Sequence, residues 1–256
     1  MSHGSPCGAS SLTTVMASPD EHALVSASPF PADPALWPAE YRAAVVDLLA
    51  VLAYTELTAF QRLAVDAALA PTIADQAALA EMAVAEFRHF TMLRERLAAL
   101  EVDPDAAMAP FRRPLDEFHA HTAPSDWLEG MVKAYVGDAI GLDFYREIAN
   151  LVDPGTRALV LQVCEDLGHA SFVVDRVREQ IALDPKVAGR LALWGRRLVG
   201  EALSQAQRVA AERDALSTLL VGGVDLPGTD LAEMGRMLAR LTESHTRRMN
   251  ALGLAA

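Results

Sequence analysis

Four acids and two histidines occupy positions where side chains of their type can do chemistry: Glu56, Glu86-Phe87-Arg88-His89, Asp138 and Asp166-Leu167-Gly168-His169. An acid and a histidine three residues apart share one face of a helix, so both can reach a single bound ion. Carboxylate and imidazole donors with open positions suit iron or manganese. What makes the set unusual is its surroundings. Val45, Leu49, Leu52, Glu56, Ala59 and Leu63 form one apolar stripe at helical spacing, with an acid inside it. Met82, Glu86, His89, Leu93 and Leu97 form a second, and Met131, Tyr135, Asp138, Leu142 and Tyr145 a third. Leu159, Val163, Asp166, Ala170 and Val173 form the fourth, with His169 adjacent. A carboxylate in such a stripe is costly unless it is paired, protonated or bound to a cation.

The elements that must position these groups are long helices. The first is expected from about Ala39 to Ala70, closed by Pro71, and the second from Ile73 to Leu100, stopped by Asp103-Pro104. A connector containing Pro110 and Pro114 follows. Ser125 or Asp126 caps a third helix reaching Leu151, and Asp153-Pro154-Gly155 turns the chain into a fourth that ends near Asp184-Pro185. Short turns within each pair and a longer crossover between pairs give an all-α, ferritin-like four-helix bundle. Two additional C-terminal helices are expected over about 186–220 and 230–252. The chain thus divides into a flexible tail (1–35), rich in Ser, Pro and Gly, a bundle (36–184) and a helical extension packed on it (185–256).

The register of the two hairpins brings the polar groups level. Glu56 and Glu86 have their midpoint at Pro71, and Asp138 and Asp166 have theirs beside the Asp153-Pro154-Gly155 turn. Glu165, four residues before His169, is an alternative to Asp166. Asp143 and Glu147 rotate off the face of Asp138 and read as solvated surface, as do Glu243, His245 and Arg247-Arg248 on the last helix. The same acid-x-x-His spacing at Asp116 to His119 falls in the Pro-rich connector and reads as chance.

Composition limits the function classes. With 34 acids against 22 bases the net charge is −12, the opposite of the bias that gripping phosphate backbones favours. Two cysteines, Cys7 and Cys164, make no disulfide framework and fit reduced thiols. Asp47 and Glu56 interrupt the longest apolar run, so no membrane span is expected, and no Lys or Arg precedes Arg42 to mark a secretory signal. A cytoplasmic protein is the expectation.

The ligand set Glu56, Glu86-x-x-His89, Asp138 and Asp166-x-x-His169 resembles that of the ferritin-like di-iron carboxylate proteins. More narrowly, Ala53-Tyr54-Thr55-Glu56-Leu57-Thr58-Ala59-Phe60, Lys133-Ala134-Tyr135-Val136-Gly137-Asp138, Asp166-Leu167-Gly168-His169-Ala170 and Ala192-Leu193-Trp194-Gly195-Arg196-Arg197 are similar to a branch related to the MiaE tRNA hydroxylases. The resemblance spans about Pro38 to Gly222. It implies two iron ions, with manganese compatible with the same donors, and dioxygen, a reductase or other electron donor and an organic substrate as partners. In the MiaE enzymes that substrate is a modified tRNA adenosine. It also allows a homodimer. Glu86 and Asp166 would bridge, Glu56 and Asp138 would be terminal ligands, and Tyr54 and Tyr135 would stand behind them. The wider family has Glu where this chain has Asp138 and Asp166, and the shorter side chains would open a coordination position or weaken the second metal. The other reading is a ferritin-like ferroxidase or peroxide-consuming protein without an organic substrate.

Overall fold

A computed structural model describes residues 30–165, 170–223 and 229–256 together with the backbone of His169. Among the described residues the secondary structure is helical throughout, with no strand. Helix α1 (Ala39–Ala67) begins at Pro38, which sets the entry dihedral, and α2 (Ile73–Ala99) is capped by Thr72, whose hydroxyl accepts from the Asp75 amide. Among the described residues the two form the most extensive helix pair. Phe30 and Pro31, expected within a flexible tail, make contacts instead: Phe30 stacks on Tyr41 with ring centroids 3.6 Å apart, and the Trp37 indole donates to the Pro31 carbonyl.

The connector is more ordered than its prolines suggest. It folds as α3 (Pro104–Met108), a 3₁₀ turn and α4 (Arg112–His121), with the prolines accommodated in first turns where no backbone donor is needed. Asp116 accepts a hydrogen bond from the Tyr54 hydroxyl, and His119 is buried near Lys133 and Arg62.

The expected third helix is a continuous rod with a change of winding inside it. It comprises α5 (Trp127–Val132), a π-helical turn over Lys133–Asp138, α6 (Ala139–Ile148) and a closing 3₁₀ turn, Ala149–Leu151. Such π turns take up one extra residue in a helix and gather at functional sites. Asp153 then caps α7 (Pro154–Val163) by accepting from the Gly155 and Thr156 amides. It also binds the Tyr41 hydroxyl, which ties the second hairpin to the start of α1.

Two expectations of continuity fail. The fourth helix is interrupted: α7 ends at Val163, Cys164 and Glu165 are non-helical, and α8 covers His169–Leu183. The fifth breaks at Arg213, giving α9 (Lys186–Glu212) and α10 (Asp214–Val221). There Arg213 leaves helical dihedrals and grips buried Asp47 of α1 through Nε and Nη2, at 2.9 and 2.5 Å. That ion pair turns α10 onto α1. Helix α11 (Leu231–Leu252), capped by Asp230 and closed by Gly253 in the left-handed conformation, packs against α6, α8 and the π turn.

Helix α1 bears on the membrane expectation. By length and mean hydropathy it is long and apolar enough to cross a bilayer, despite Asp47 and Glu56. Most of that apolar window is buried inside the protein, as befits a core helix.

The buried residues fall into two clusters. One gathers Leu48, Leu52, Leu93, Leu97, Ile148 and Val160, the other Leu63, Leu79, Met131, Val136, Val173 and Leu198. Between them, on α1, α2 and the π turn, lie Glu56, Glu86, His89 and Asp138.

Candidate metal centre

Glu56 sits one turn after the apolar residues that bury the first half of α1, so its carboxyl is carried into the interior with them and is only 2% exposed. Across the hairpin, Glu86 and His89 project from α2 at i and i+3. His89 Nδ1 lies 3.4 Å from Glu56 Oε2 and 3.6 Å from Glu86 Oε2. One ligand atom from each of the three residues falls within 4.8 Å of the others, the spacing of donors around a common ion. The close contact is not a hydrogen bond. Glu56 Oε2 and His89 Nδ1 are both buried and have no hydrogen-bond partner among the described residues. Buried polar atoms are almost always satisfied, so two orphans aimed at one point match the coordination of a cation by an O,O,N donor set.

The electrostatics agree. Burial above all, and then the neighbouring Glu86, Cys164 and Asp138, push the Glu56 carboxyl well above the usual carboxylate range. Asp138, at the C-terminal end of the π turn, is pushed up to about 7 by burial, with Glu86 and Asp66 adding to the shift and Lys133 opposing it. A bound cation removes that penalty by keeping both groups ionised. Asp138 stands outside the tight group of three but near enough to feel the charge of Glu86.

Beside these groups opens a cavity of ≈ 290 Å³. Glu86, His89, Tyr135, Cys164, Glu165, Arg146 and Arg248 contribute polar atoms to its wall, and Met82, Leu142, Val163 and Val173 supply apolar surface. Glu165 is exposed, in non-helical chain just after α7. Asp166 lies outside the described residues, as does the side chain of His169.

Several sequence expectations change here. Tyr54 does not stand behind the acids. Two residues before Glu56 on a helix is the opposite side, and its hydroxyl goes to Asp116 of α4. Tyr145 of α6 lies near enough to feel Glu56: burial, opposed by a hydrogen bond with Thr55 and reinforced by the charges of Cys164 and Glu56, pushes its hydroxyl up to about 12. Tyr135 does line the cavity. Asp143, read as solvated, is mostly buried between Arg146 and Arg248. Glu147 is likewise held by Arg240, with contacts of 2.8 and 2.7 Å. Arg248, read as part of a solvated face, is 14% exposed, whereas its neighbour Arg247 is 67% exposed. Cys164, a free thiol, is pushed up to about 12 by burial, against the pull of Arg146, and so stays protonated.

The chain matches the family described as "Ferritin-like domain, actinomycetes" over residues 39–223. The chain belongs to that ferritin-like family. No curated protein matches this ferritin-like chain in sequence. Among solved structures it is similar to a Synechococcus protein described as having aldehyde deformylating oxidase activity, with a TM-score of 0.66 and 20% identity. The match covers 88% of this chain and 95% of the other. At that identity the likeness shows the fold, and the ferritin-like fold is the one expected from the spacing of acids and turns.

Proposed function

We propose that the protein is a non-haem di-iron oxygenase that oxidises an organic molecule held in the cavity beside Glu86 and His89. The observation that carries this reading is the convergence of Glu56 Oε2 and His89 Nδ1, buried and unpartnered, with Glu86 at the edge of that cavity. Glu56, Glu86 and His89 would hold one iron, and Asp138, with Asp166 and His169, the second; Glu165 is the alternative to Asp166. Iron bound there would supply activation of dioxygen for attack on a C–H bond, with electrons from a separate donor. The chain's own contribution is to keep the site dry and the substrate near. The apolar clusters on either side exclude water, and Met82, Leu142 and Val173 give an apolar surface for a carbon skeleton. Tyr145 and Cys164, both held protonated, place neutral groups rather than competing charges near Glu56.

An organic substrate is supported over simple iron storage by the mixed apolar and polar wall of the cavity. The neighbour's aldehyde deformylating oxidase activity is compatible with it. A modified tRNA adenosine is the less supported substrate. The net charge is −12, and Arg196 and Arg197 of the strongest basic pair donate to the Ala255 and His121 carbonyls.

Metal analysis of protein produced with ample iron tests the reading. About two irons per chain are expected, with loss of one or both in Glu56→Ala and in Asp138→Ala. Purified protein with no transition metal would refute it.

A further inference from the structure

The cavity has two chemically different poles. Glu86 and His89 make one, and two guanidinium groups, Arg146 of α6 and Arg248 of α11, make the other. The rest of the wall is largely apolar, with Tyr135, Cys164 and Glu165 adding polar groups. Among the described residues a single carboxylate, Asp143, is hydrogen-bonded to the cationic pole. Arg146 Nη1 donates to Asp143 Oδ1 at 2.8 Å and Arg248 Nη1 to Asp143 Oδ2 at 2.8 Å, so one carboxylate serves two cations. The next acid on α6, Glu147, is taken by Arg240, and among the described residues Glu165 pairs with neither guanidinium. Arg248 also reaches Asp143 Oδ2 through Nη2, and the pair's other bonds among the described residues go to neutral carbonyls, Arg146 to Cys164 and Arg248 to Ala139. Arg248 Nε is buried without a hydrogen-bond partner among the described residues. Burial and the adjacent Arg146 both work against the charge on Arg248, while Asp143 and Tyr135 favour it.

A protein rarely keeps a surplus charge on the wall of a half-buried cavity unless something of opposite sign arrives there. If Arg248 served only to fasten α11 to α6, one cation opposite Asp143 would suffice. We infer that the cavity binds a small carboxylate, its anionic head held by Arg146 and Arg248 and its apolar body directed at the Glu86–His89 pole. Guanidinium groups suit this role, because their planar forks match a carboxylate. The volume of ≈ 290 Å³ is at the small end of ligand pockets and favours a compact molecule. The inference names the substrate class for the proposed oxygenase and rests on that reading, yet the binding can be measured apart from it.

The test uses phenylacetate, 3-phenylpropanoate and 4-phenylbutanoate, with 3-phenylpropanamide as the uncharged control. Each is titrated calorimetrically into the full-length protein in iron-loaded and chelator-stripped forms. At least one carboxylate is expected to bind both forms, about tenfold or more tighter than the amide. Arg146→Gln and Arg248→Gln should each weaken it about tenfold, with the iron content per chain unchanged. If Arg248→Gln does not fold, Arg146→Gln, whose removal leaves Arg248 to neutralise Asp143, carries the test. Three results overturn the inference: equal affinity for acid and amide, binding confined to the iron-loaded form, or no carboxylate bound at millimolar concentration. Undiminished binding to a folded Arg146→Gln protein overturns it as well. Iron content is read separately, so a protein that holds no iron but binds the carboxylate refutes the oxygenase reading and leaves the anion site standing.

Discussion

Glu56, Glu86, His89 and Asp138 were legible as residues because an acid inside an apolar helical stripe is too costly to keep unless a cation or a proton balances it. The same logic predicts how they titrate without metal. In the unfolded chain Asp138 ionises near its ordinary 3.8, and in the folded, metal-free protein near 7. Between those values the folded state holds the extra proton, so stability falls as pH rises. The contribution is fully present below 3.8 and gone above about 7, and the raised Glu56 acts in the same direction. Chelator-stripped protein should therefore melt at a lower temperature at about pH 8 than at about pH 5. Asp138→Asn should flatten the slope, and iron should abolish it. A slope that Asp138→Asn leaves untouched would show that Asp138 ionises normally. Arg248 illustrates the reverse case. On its own helix it sits among charged residues and reads as surface, and only the helix packed over it reveals that it is buried.

Among elements, the spacing of helices depends on glycines whose role is steric. Gly130 of α5 lies against Asp66 of α1 so closely that an added Cβ would stand 3.0 Å from Oδ2 and 3.2 Å from Cβ of that residue. Gly137, in the π turn, would place its Cβ 3.4 Å from Leu198 Cδ2 of α9, an ordinary contact. Gly130→Ala should thus destabilise by about 1–2 kcal/mol despite better helix propensity, because α1 and α5 must separate. Gly137→Ala should be neutral or slightly stabilising. Denaturant unfolding of the two variants distinguishes them, and equal effects would contradict the close approach. The π turn was invisible in the sequence. Its residues, Lys133 to Asp138, are compatible with an α-helix, and the extra residue is tolerated because α9 and α11 pack against the widened turn. The breaks near Val163 and at Arg213 were hidden for a similar reason, since no proline or glycine marks either residue.

Across the whole molecule, the C-terminal helices are fastened to the bundle by charge as well as by apolar contact. Arg213 neutralises Asp47, which is buried in the first half of the long apolar helix α1. Arg213→Ala leaves that carboxylate uncompensated and should cost about 2–3 kcal/mol, less than a fully buried pair because Arg213 is half-exposed. Asp47→Leu in the same background should recover most of the loss, since it removes the orphaned charge and adds apolar surface. Urea unfolding of the two single variants and the double variant gives the coupling, and additive effects would show that the pair is energetically idle.

What the sequence by itself determined was everything that a helix's own period encodes: the positions of α1 and α2, the turn at Asp153-Pro154-Gly155, and the alignment of Glu56 with Glu86 and His89 across Pro71. Those are short-range properties, fixed by residues three to four apart and by punctuation at turns. The tertiary structure decided which faces meet. It brought Tyr145 rather than Tyr54 toward Glu56, drew Asp143 and Arg248 out of solvent, and wrapped a helix apolar enough for a membrane in protein instead. A side chain's own neighbours in the chain say which way it points, but its burial and charge state depend on the elements packed against it, and those come from distant parts of the sequence.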